Sequence, residues 1–474
     1  MNLGRPGVRA WVSLSVIVVT ASVLAARPQY GGVLRVEIPA MLKTLDPAAA
    51  AGDASDAIAR GRVLPLIFET LVSVDDRGGI APQLASSWEH DTTSQRWRFR
   101  LRSGIRLHDG SVLDAPKAAA ALRSIADLKI SADGETIVVE AERESPDLPW
   151  VLASIRAAVV IRRGSDSIGT GPFRVERFEP PRLVLRAHED YWKGRPFVDG
   201  VEILTGQSQG DGTASVETGR ADIAAVAPAD PSRLAPRGLR AMASRPVDLV
   251  ALVFEEHRAL AASQTLRHAV AGAIDRQSIC SVVLQRWAQP ATALLPDWLS
   301  GYAAIVGNAA DARTSARTLA AQIPPGQRTM ALRVDSASPI DRAIADRIAV
   351  DAREAGLTIR VDSADALAPR PDLRLVHVRL DATSPDRALA SALAALGPRT
   401  ARLLPVDLAL PSGARIEDVF RLERALLEPR IIVPVVHMSE VYVVGSQIET
   451  WSGQPIRPSG AWDFGAVWMR TTKP

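Results

Sequence analysis

The chain has 474 residues, of which 47% are hydrophobic and 23% are charged, an ordinary balance for a globular protein with a sizeable core. Its 56 basic and 53 acidic side chains leave a formal charge of +3, which is too small an excess to indicate a nucleic-acid partner. The single cysteine, Cys280, lies in the apolar run ICSVVL and is predicted to be buried. It excludes an internal disulfide and a cysteine-rich zinc site.

The N-terminal segment has the pattern of a secretory signal. Arg5 and Arg9 precede an apolar run from Trp11 to Ala26 that is shorter than the ~20 residues a spanning helix needs. Small residues close the run, which predicts a signal peptide over residues 1–25; cleavage after Ala26 and an uncleaved membrane anchor are the alternatives. We therefore expect an exported protein, periplasmic or extracellular, that stays tethered to the membrane if the signal is not cut.

The first half of the chain predicts short strands separated by turns. Gly31–Ile38 is predicted as a first strand, and Ala57–Val72 has a helical apolar pattern that Pro65 perturbs. Arg96–Leu101 alternates at period two, which predicts a half-buried strand whose arginines form a solvated face. Asp114 is predicted to cap the helix that begins at PKAAAALRSI. Thr136–Val139 and Leu183–Leu185 are predicted as further strands.

The second half predicts a different organisation, with longer helices between strands. Ser263 and Asp275 are predicted helix caps. The strand Arg328–Val334, a helix that begins after Ser338 and the strand Leu357–Val361 predict a βαβ unit with parallel pairing. Leu373–Leu380 is expected to add a strand, and the segment IIVPVVHMSEVYVVG is expected to return to short strands.

The sequence lacks the spacing of the common catalytic and metal-binding motifs. No two histidines stand at H-x-x-x-H spacing, and neither a G-x-S-x-G elbow nor a phosphate-binding GxxxxGK[ST] loop occurs. His108 and Asp109 are neighbours, but adjacent residues of a strand point to opposite faces, so Asp109-Gly110 is interpreted as a tight turn. We expect no catalytic residue, no bound metal and no cofactor.

Five stretches carry short motifs in a fixed order along the chain. They are GGVLRVEIPAMLKTLDP, the stretch 67–115 with Trp88-Glu89 and His108-Asp109-Gly110, the stretch 169–203 with GTGPF and Tyr191-Trp192, LRHAVAGAIDRQSI, and the βαβ stretch ending in AGLTIRVDS. Together they resemble the extracellular solute-binding proteins of ABC importers, family 5, which include dipeptide-, oligopeptide- and nickel-binding receptors.

The resemblance implies an α/β, two-lobed periplasmic-binding-protein fold, type II-like, with an extra subdomain in lobe one. Lobe one is expected over residues 30–247 with a returning tail at 438–474, and lobe two over 248–437. Such a receptor closes on a ligand and delivers it to an ABC importer permease in the membrane. It is expected to be a monomer without nucleic acid, and it is expected not to be an enzyme.

The resemblance also suggests where the ligand is held. Peptide-binding members hold the ligand's α-amino group with an aspartate, and the best local match, VRLDATSPDRAL, assigns that role to Asp381. Val378 and Ala382 stand where peptide binders have aromatic residues, and a helix cap or turn is the alternative role for Asp381. Arg379 is a candidate partner for a ligand carboxylate. The family also contacts ligands with the segment after Leu-Asp-Pro, which offers mainly backbone groups here and contains Ala50, Ala51, Gly52 and Asp53.

The expected function is therefore that of an exported receptor for a small ligand, with a peptide favoured. A sensor or scaffold on the same fold that has lost transport is the first alternative, and a hydrolase on this scaffold is the second. The sequence offers no nucleophile–base pair for the hydrolase.

Overall fold

The computed structural model describes most of the chain after the N-terminal segment. The described residues are 27–50, 52–75, 79–125, 127–164, 166–228, 234–255, 263–301, 309–334, 338–363, 370–380, 384–404, 414–451, 457 and 460–470. The predicted signal peptide, residues 1–25, lies outside them.

The chain enters the fold through a strand and a capped helix. Val33–Glu37 (β1) confirms the predicted first strand. Asp53 caps Ala54–Val63 (α1), because its side chain accepts a hydrogen bond from the backbone N–H of Asp56 at 2.8 Å. The helix becomes a 3₁₀ turn at Leu64–Leu66. It is shorter than predicted because Pro65 lacks the N–H that would continue the α-helical hydrogen bonds.

A four-stranded antiparallel sheet with one covering helix forms a separate layer in the first half. A hairpin of Val72–Val74 (β2) and Ile80–Pro82 (β3) leads into it. Its elements are Ala85–His90 (β4), Arg96–Leu101 (β5), Ala115–Leu122 (α2), Leu128–Asp133 (β6) and Thr136–Ala141 (β7). The strand order is β4-β5-β7-β6, and α2 packs on the sheet with Ala118, Ala119 and Leu122 against Phe99 and Ile137. This layer matches the expected extra subdomain.

The rest of the first half returns the chain to the main sheet. The elements are Leu148–Ala153 (α3), Ile161–Arg163 (β8), Asp166–Ile168 (β9), Phe173–Glu179 (β10), Arg182–Ala187 (β11), Gly200–Leu204 (β12), Gly212–Glu217 (α4), Ile223–Val226 (β13) and Arg240–Phe254 (β14). β1 pairs in parallel with both β12 and β13. The carboxyl ends of β1 and β13 therefore meet at one edge, where ligands of open α/β sheets commonly bind.

The second half alternates helices and strands. Its elements are Gln264–Ala273 (α5), Arg276–Ser278 (α6), Ala288–Pro290 (β15), Asp297–Ser300 (α7), Ala309–Ala321 (α8), Thr329–Val334 (β16), Pro339–Glu354 (α9), Thr358–Ser363 (β17), Leu373–Arg379 (β18), Pro385–Leu403 (α10), Ile416–Leu427 (α11), Ile432–Val444 (β19), Ile448–Glu449 (β20) and Trp468–Met469 (β21). The parallel pairing of β16 with β17 across α9 confirms the predicted βαβ unit. The side chains of Ser263 and Asp275 accept the capping hydrogen bonds that the sequence predicts, and the side chain of Ser338 accepts one at the start of the predicted helix.

Two long strands join the halves into one sheet. The strand order is β10-β11-β12-β1-β13-β19-β14-β18-β16-β17, with β15 paired to β19. The segment Ile432–Val444 is one strand of 13 residues, so the prediction of several short strands there is wrong. Pro434 has no N–H to donate to a neighbouring strand. It is accommodated because it pairs with Ala251, where the register between β19 and β14 shifts. The predicted lobe boundaries at 247/248 and 437/438 fall inside β14 and β19.

Alternate residues of β14 are buried in different hydrophobic clusters, one on each face of the sheet. On β14, Leu249, Ala251 and Val253 belong to a cluster that includes α10 and α11 residues. Val250, Leu252 and Phe254 belong to a cluster with α5 and α9 residues on the opposite face. A third cluster, around β1, α1 and β12, holds Leu34, Phe68, Phe173 and Tyr442. The sheet of the second half is thus covered on both faces, and the first half has its own core.

Candidate functional site

A cavity of about 440 Å³ lies where the cores of the two halves approach one another. The first half contributes the carboxyl ends of β1 and β13 and one side of α1; the second half contributes β18 and the start of α9. β14 and the middle of β19 complete the wall. The charged lining residues are Arg62, Asp248, His377, Arg379 and Glu440, and the other lining residues are mostly aliphatic. A small, largely apolar cavity with a few converging charged groups is typical of small-molecule sites.

Glu440 is a carboxylate that two guanidiniums share. Its Oε1 lies 2.7 Å from Nη2 of Arg62 on α1 and 2.5 Å from Nη1 of Arg379 on β18. The hydroxyl of Tyr442 donates to its Oε2 at 2.7 Å. Burial by itself raises the pKa of Glu440, but Arg379 and Arg62, helped by the Tyr442 hydroxyl, outweigh it and lower the pKa to about 2. The carboxylate is therefore ionised at every physiological pH.

His377 is held between two carboxylates on the same wall. Its Nδ1 lies 2.5 Å from Oδ2 of Asp248, and its Nε2 lies 2.9 Å from Oδ1 of Asp341. Burial lowers the pKa of His377, but the two carboxylates outweigh it and raise the pKa to about 11. An imidazolium donates through both nitrogens, so this side chain keeps no lone pair for a metal ion.

The strand register places two residues of opposite charge at neighbouring backbone positions of the cavity wall. Asp248 stands directly opposite Arg379 in the antiparallel pairing of β14 and β18. Directly opposite residues point to the same face with Cβ atoms about 4.5–5.5 Å apart. The two side chains do not form their ion pairs with each other: Asp248 pairs with His377, and Arg379 pairs with Glu440. The two side chains therefore start from neighbouring positions on one face of the sheet and extend to different partners.

The predicted ligand residues are distributed unevenly around this cavity. Arg379 lines it. Ala50, Gly52 and Asp53 are exposed in the turn before α1 and are not among its lining residues; Ser55 and Ile58, on the helix that follows, are. Asp53 contacts Lys43 at 2.6 Å besides capping α1. Asp381 and Ala51 lie outside the described residues, so their ligand contacts stay predictions.

Sequence reasoning missed four of the charged residues at the site. Arg62, Asp248, His377 and Glu440 were not selected, because none belongs to a spaced motif. Three of them did carry a signal, since each is an ionisable residue within a largely apolar strand: PVDLVALV, LRLVHVRL and VHMSEVYVV. A charge in such a strand is costly unless it is paired, which is itself an indication of a site.

The most recognisable motif of the sequence belongs to the scaffold. His108 donates through Nε2 to the carbonyl of Gly171 at 3.0 Å, and its Nδ1 accepts from the Gly169 N–H at 3.4 Å. Burial is the main cause that lowers the pKa of His108, to about 4, so the ring is neutral. Gly110 has φ of +80° at the turn, as the tight-turn interpretation of Asp109-Gly110 requires. A Cβ at Gly169 would lie 2.1 Å from the Ile67 carbonyl oxygen, which explains the glycine there.

A buried glutamate ties the other motif residues to this scaffold. The Glu69 carboxylate accepts hydrogen bonds from the hydroxyls of Thr170 and Tyr191, at 3.0 and 2.9 Å, and from the indole N–H of Trp192, at 2.9 Å. Residues from two of the five stretches therefore meet at one carboxylate, and none of them lines the cavity. Their role is to fix the packing of the first half.

The arginine row of β5 (Arg96, Arg98 and Arg100) is balanced by acids on β6, on β7 and in the turn between them. Arg96 lies 3.6 Å from Glu140, Arg98 lies 3.0 Å from Asp133, and Arg100 lies 3.8 Å from Glu135. These pairs are exposed, so each contributes little to stability. The arginine row is a solvated strand face, as predicted, and each of its three arginines pairs with an acidic side chain.

A second, open groove of about 620 Å³ lies between β5 and Trp192. It holds the exposed Arg100–Glu135 pair, and the guanidinium of Arg102 stands 5.1 Å from the Trp192 ring centre. The residues that line this groove all belong to the first half of the chain, and its charged groups do not converge on a common point. We therefore assign the candidate site to the smaller cavity between the halves.

Two further properties concern metals and membranes. Within the described ranges, no group of three or more His, Cys, Asp and Glu side chains is arranged to hold a metal ion. Of the helices that the structure describes, none has both the length and the apolar character needed to cross a bilayer.

Two cores, a sheet shared through long strands and a cavity between them define a two-lobed periplasmic binding protein. The solved structure of the ABC transporter substrate-binding protein CtaP from Listeria monocytogenes superposes with a TM-score of 0.75 at 15% identity, covering 94% of this chain and 100% of that one. The oligopeptide-binding protein AppA from Bacillus subtilis, solved with a nonapeptide, has a TM-score of 0.67 at 15% identity and covers 94% and 100%. At these identities the likeness establishes the fold.

The chain belongs to the bacterial extracellular solute-binding proteins, family 5, whose model matches residues 79–392. Family and fold are those of substrate-binding proteins, which are not enzymes. Among curated relatives, YhjP of Bacillus subtilis is 30% identical over 167 residues, 32% of this chain and 29% of its own length. The transcriptional regulator SgrR of Pectobacterium atrosepticum is 31% identical over 153 residues, 29% of this chain and 28% of its own. The match thus spans under a third of either relative.

Proposed function

We propose that this protein is an exported receptor that captures a small solute in the cavity between its lobes and delivers it to the permease of an ABC importer. The lobes are residues 30–247 with 438–474, and residues 248–437. The observation that carries the proposal is the cavity itself, where charged side chains from both halves converge among aliphatic residues.

The geometry suggests how binding would couple to closure. Arg62 on α1 and Arg379 on β18 reach the same carboxylate, Glu440, on the strand that passes between the lobes. A ligand that contacts both walls interacts with more groups when the walls are close together. Such a ligand shifts the population toward the closed form, which a permease can distinguish from the open form.

A peptide is the ligand class that the family resemblance favours, and AppA was solved with one. In this chain the peptide's amino group is assigned to Asp381 and its carboxylate to Arg379. The cavity is near the small end of the ~300–1,000 Å³ range of ligand sites, so a short peptide is favoured over a long one.

The experiment is a thermal-shift screen of the mature protein against peptides, free amino acids, sugars, opines and nickel–histidine. We expect a stabilising solute, and small-angle scattering should show a smaller radius of gyration when that solute is present. Loss of peptide stabilisation in Asp381→Ala would support the assigned amino-group contact, whereas unchanged stabilisation would remove that role. A receptor that neither binds nor compacts with any of these compounds would contradict the proposal.

A sensor that does not transport is the second candidate. Its support is the similarity to SgrR, which is named a transcriptional regulator, over part of the chain. Uptake of the identified, radiolabelled solute in cells with and without the gene separates the candidates. Receptor function requires uptake to fall in the deletion strain, and a sensor requires it to stay unchanged.

A further inference from the structure

The charges on the cavity wall are balanced by one another. Among the described residues that line the cavity, the charged ones are Arg62, Asp248, His377, Arg379 and Glu440. This inference rests on the proposed function, because it takes the cavity as the binding site of a short peptide. We infer that the cavity selects peptides whose side chains carry no charge.

The group of side chains around Glu440 carries one excess positive charge. The carboxylate of Glu440 contacts Nη2 of Arg62 at 2.7 Å and Nη1 of Arg379 at 2.5 Å. The Arg62 side chain is 2% exposed, so water and salt screen this interaction weakly. Each guanidinium thus has a carboxylate as a partner inside the wall.

The group of side chains around His377 carries one excess negative charge. Both ring nitrogens face carboxylate oxygens, Nδ1 at 2.5 Å from Asp248 and Nε2 at 2.9 Å from Asp341. Because a carboxylate only accepts hydrogen bonds, each nitrogen must donate one, and the ring is an imidazolium. The Asp341 side chain is 5% exposed and stands behind the lining residues.

The two groups adjoin, so their excess charges cancel. His377 and Arg379 are two residues apart on β18, and such residues point to the same face of a strand. Over the six side chains of the two groups, three positive charges meet three negative ones. A wall without net charge attracts a charged side chain of neither sign.

The other wall residues are suited to uncharged side chains. The aliphatic ones come from both halves of the chain: Ile38, Ile58, Val226, Ile340, Met438 and Val441. A charged side chain placed among them would lose its hydration, while the opposite charges nearest to it already hold partners. An uncharged side chain loses less hydration and buries apolar surface.

Neutral polar groups remain for the backbone of the peptide. Ser55 on α1, Gln209 after β12 and Ser439 on β19 line the cavity. Hydroxyl and amide groups both donate and accept hydrogen bonds, which matches the N–H and C=O groups of a peptide. The backbone can therefore be held without a further charge.

The charges at the two ends of a peptide do not change this inference. They are of opposite sign and cancel, and the proposed function assigns them to Asp381 and Arg379. They are also the same in every unblocked peptide, so selection between such peptides depends on the side chains.

The first test is isothermal titration calorimetry of the unmodified protein at pH 7 with two matched pairs of tripeptides. Ala-Gln-Ala and Ala-Glu-Ala differ by a negative charge at nearly constant shape, and Ala-Met-Ala and Ala-Lys-Ala differ by a positive charge at similar length. We expect the uncharged member of each pair to bind at least about tenfold more tightly, because the charged side chain is desolvated without a free counter-charge.

The outcomes separate this inference from the proposed function. Equal binding within either pair overturns the charge selection but leaves a peptide receptor. Tighter binding of a charged member overturns it as well, since the wall would then carry an excess of the opposite sign. If none of the four tripeptides binds, the inference is overturned, and the wider thermal-shift screen decides the proposed function.

A charge added to the wall tests the physical cause. Ile58 lines the cavity from α1 and is partly exposed, so a polar side chain can be accommodated there. We expect Ile58→Glu to shift the Kd ratio of Ala-Lys-Ala to Ala-Met-Ala at least about tenfold in favour of the lysine peptide. Ile58→Gln has the same shape without the charge and should keep the ratio of the unmodified protein.

Ile340 gives an independent position on the opposite side of the cavity. It lies in the first turn of α9, where an acidic side chain is favourable for the helix. Ile340→Glu and Ile340→Gln repeat the comparison, and circular dichroism identifies the variants that are folded. If a folded glutamate variant leaves the Kd ratio unchanged, the charge balance of the wall does not set the selectivity and the inference is overturned.

Discussion

Glu440 shows how one side chain can join the parts of this site. It accepts hydrogen bonds from Arg62 on α1 and from Tyr442 on β19, and it contacts Arg379 on β18. The pKa of Glu440 lies near 2 instead of its usual 4.5. A carboxyl group with a lowered pKa stabilises the folded state above its unfolded pKa and loses that contribution as the pH falls through its folded pKa.

We predict that Glu440→Gln lowers the free energy of unfolding at pH 7 by about 3 kcal/mol, because the pKa difference corresponds to that energy and two guanidiniums lose their carboxylate. The wild-type protein should lose about this much stability between pH 4.5 and pH 2, and the variant should lose less. Urea unfolding at pH 7, 4.5 and 2 measures both effects.

Glu449 supplies the control for this substitution. Its side chain is 24% exposed, close to the 23% of Glu440, and it pairs with Arg470, which is 59% exposed. Glu449→Gln should cost less than about 1 kcal/mol because its partner is solvated. Equal costs for the two variants would contradict the shared-carboxylate explanation.

His377 keeps the charge of the cavity wall constant over the physiological range. Its pKa is raised from 6.5 to about 11 by Asp248 and Asp341, against the lowering effect of burial. The stabilisation from this group is complete below pH 6.5, falls progressively as the pH rises above 6.5 and is gone above about pH 11. Solute binding should therefore show no dependence on this histidine between pH 5 and pH 6.5.

At the scale of elements, an ion pair connects α10 of the second half to the start of α3 in the first half. Arg387, in the first turn of α10, lies 2.6 Å from Asp147, the residue before α3. The two residues are far apart in sequence and do not line the cavity. On the lobe assignment proposed above, this pair crosses between the lobes, and we predict that it stabilises the closed form.

We predict that Arg387→Gln raises the Kd of the bound solute about two- to fivefold, because a partly exposed pair contributes up to about 1 kcal/mol to the closed form. Calorimetry with the solute found in the screen measures the change. Arg342→Gln removes a pair with Asp346 inside α9 and should leave the Kd unchanged. If Arg387→Gln also leaves it unchanged, the pair has no role in closure.

At the scale of the whole molecule, β14 and β19 pass through both halves. Each contributes residues to more than one hydrophobic cluster, and they pair with one another along most of their length. If either half unfolded alone, the backbone hydrogen-bonding groups of β14 and β19 would lose their partners. The two halves should consequently unfold together although their cores are separate.

Hydrogen–deuterium exchange followed by mass spectrometry tests this cooperativity. We predict that peptides covering β1 and β16 exchange through openings whose free energies agree within about 1 kcal/mol, and that both match the free energy from urea unfolding. Two distinct levels of protection would show instead that the lobes are independent folding units.

Local signals in the sequence determined much of the fold. The caps at Asp114, Ser263 and Ser338 and the strand Arg96–Leu101 were predictable, because capping and strand alternation depend on residues close together in the chain. The family motifs, which include His108-Asp109-Gly110, were also recognisable, and the structure places them in the scaffold. The length of β19 was not predictable, because burial on both faces removes the alternation that marks a strand.

The candidate site was decided by tertiary structure. Arg62, Asp248, His377 and Glu440 come from four elements. The pairing of β14 with β18 and β19 brings the last three to one cavity, and the packing of α1 on the first half's core adds Arg62. No spacing in the sequence records that pairing, because the register of distant strands is set by packing over the whole sheet. The sequence by itself determined the family and the local elements; the tertiary structure alone decided which charges meet in the cavity.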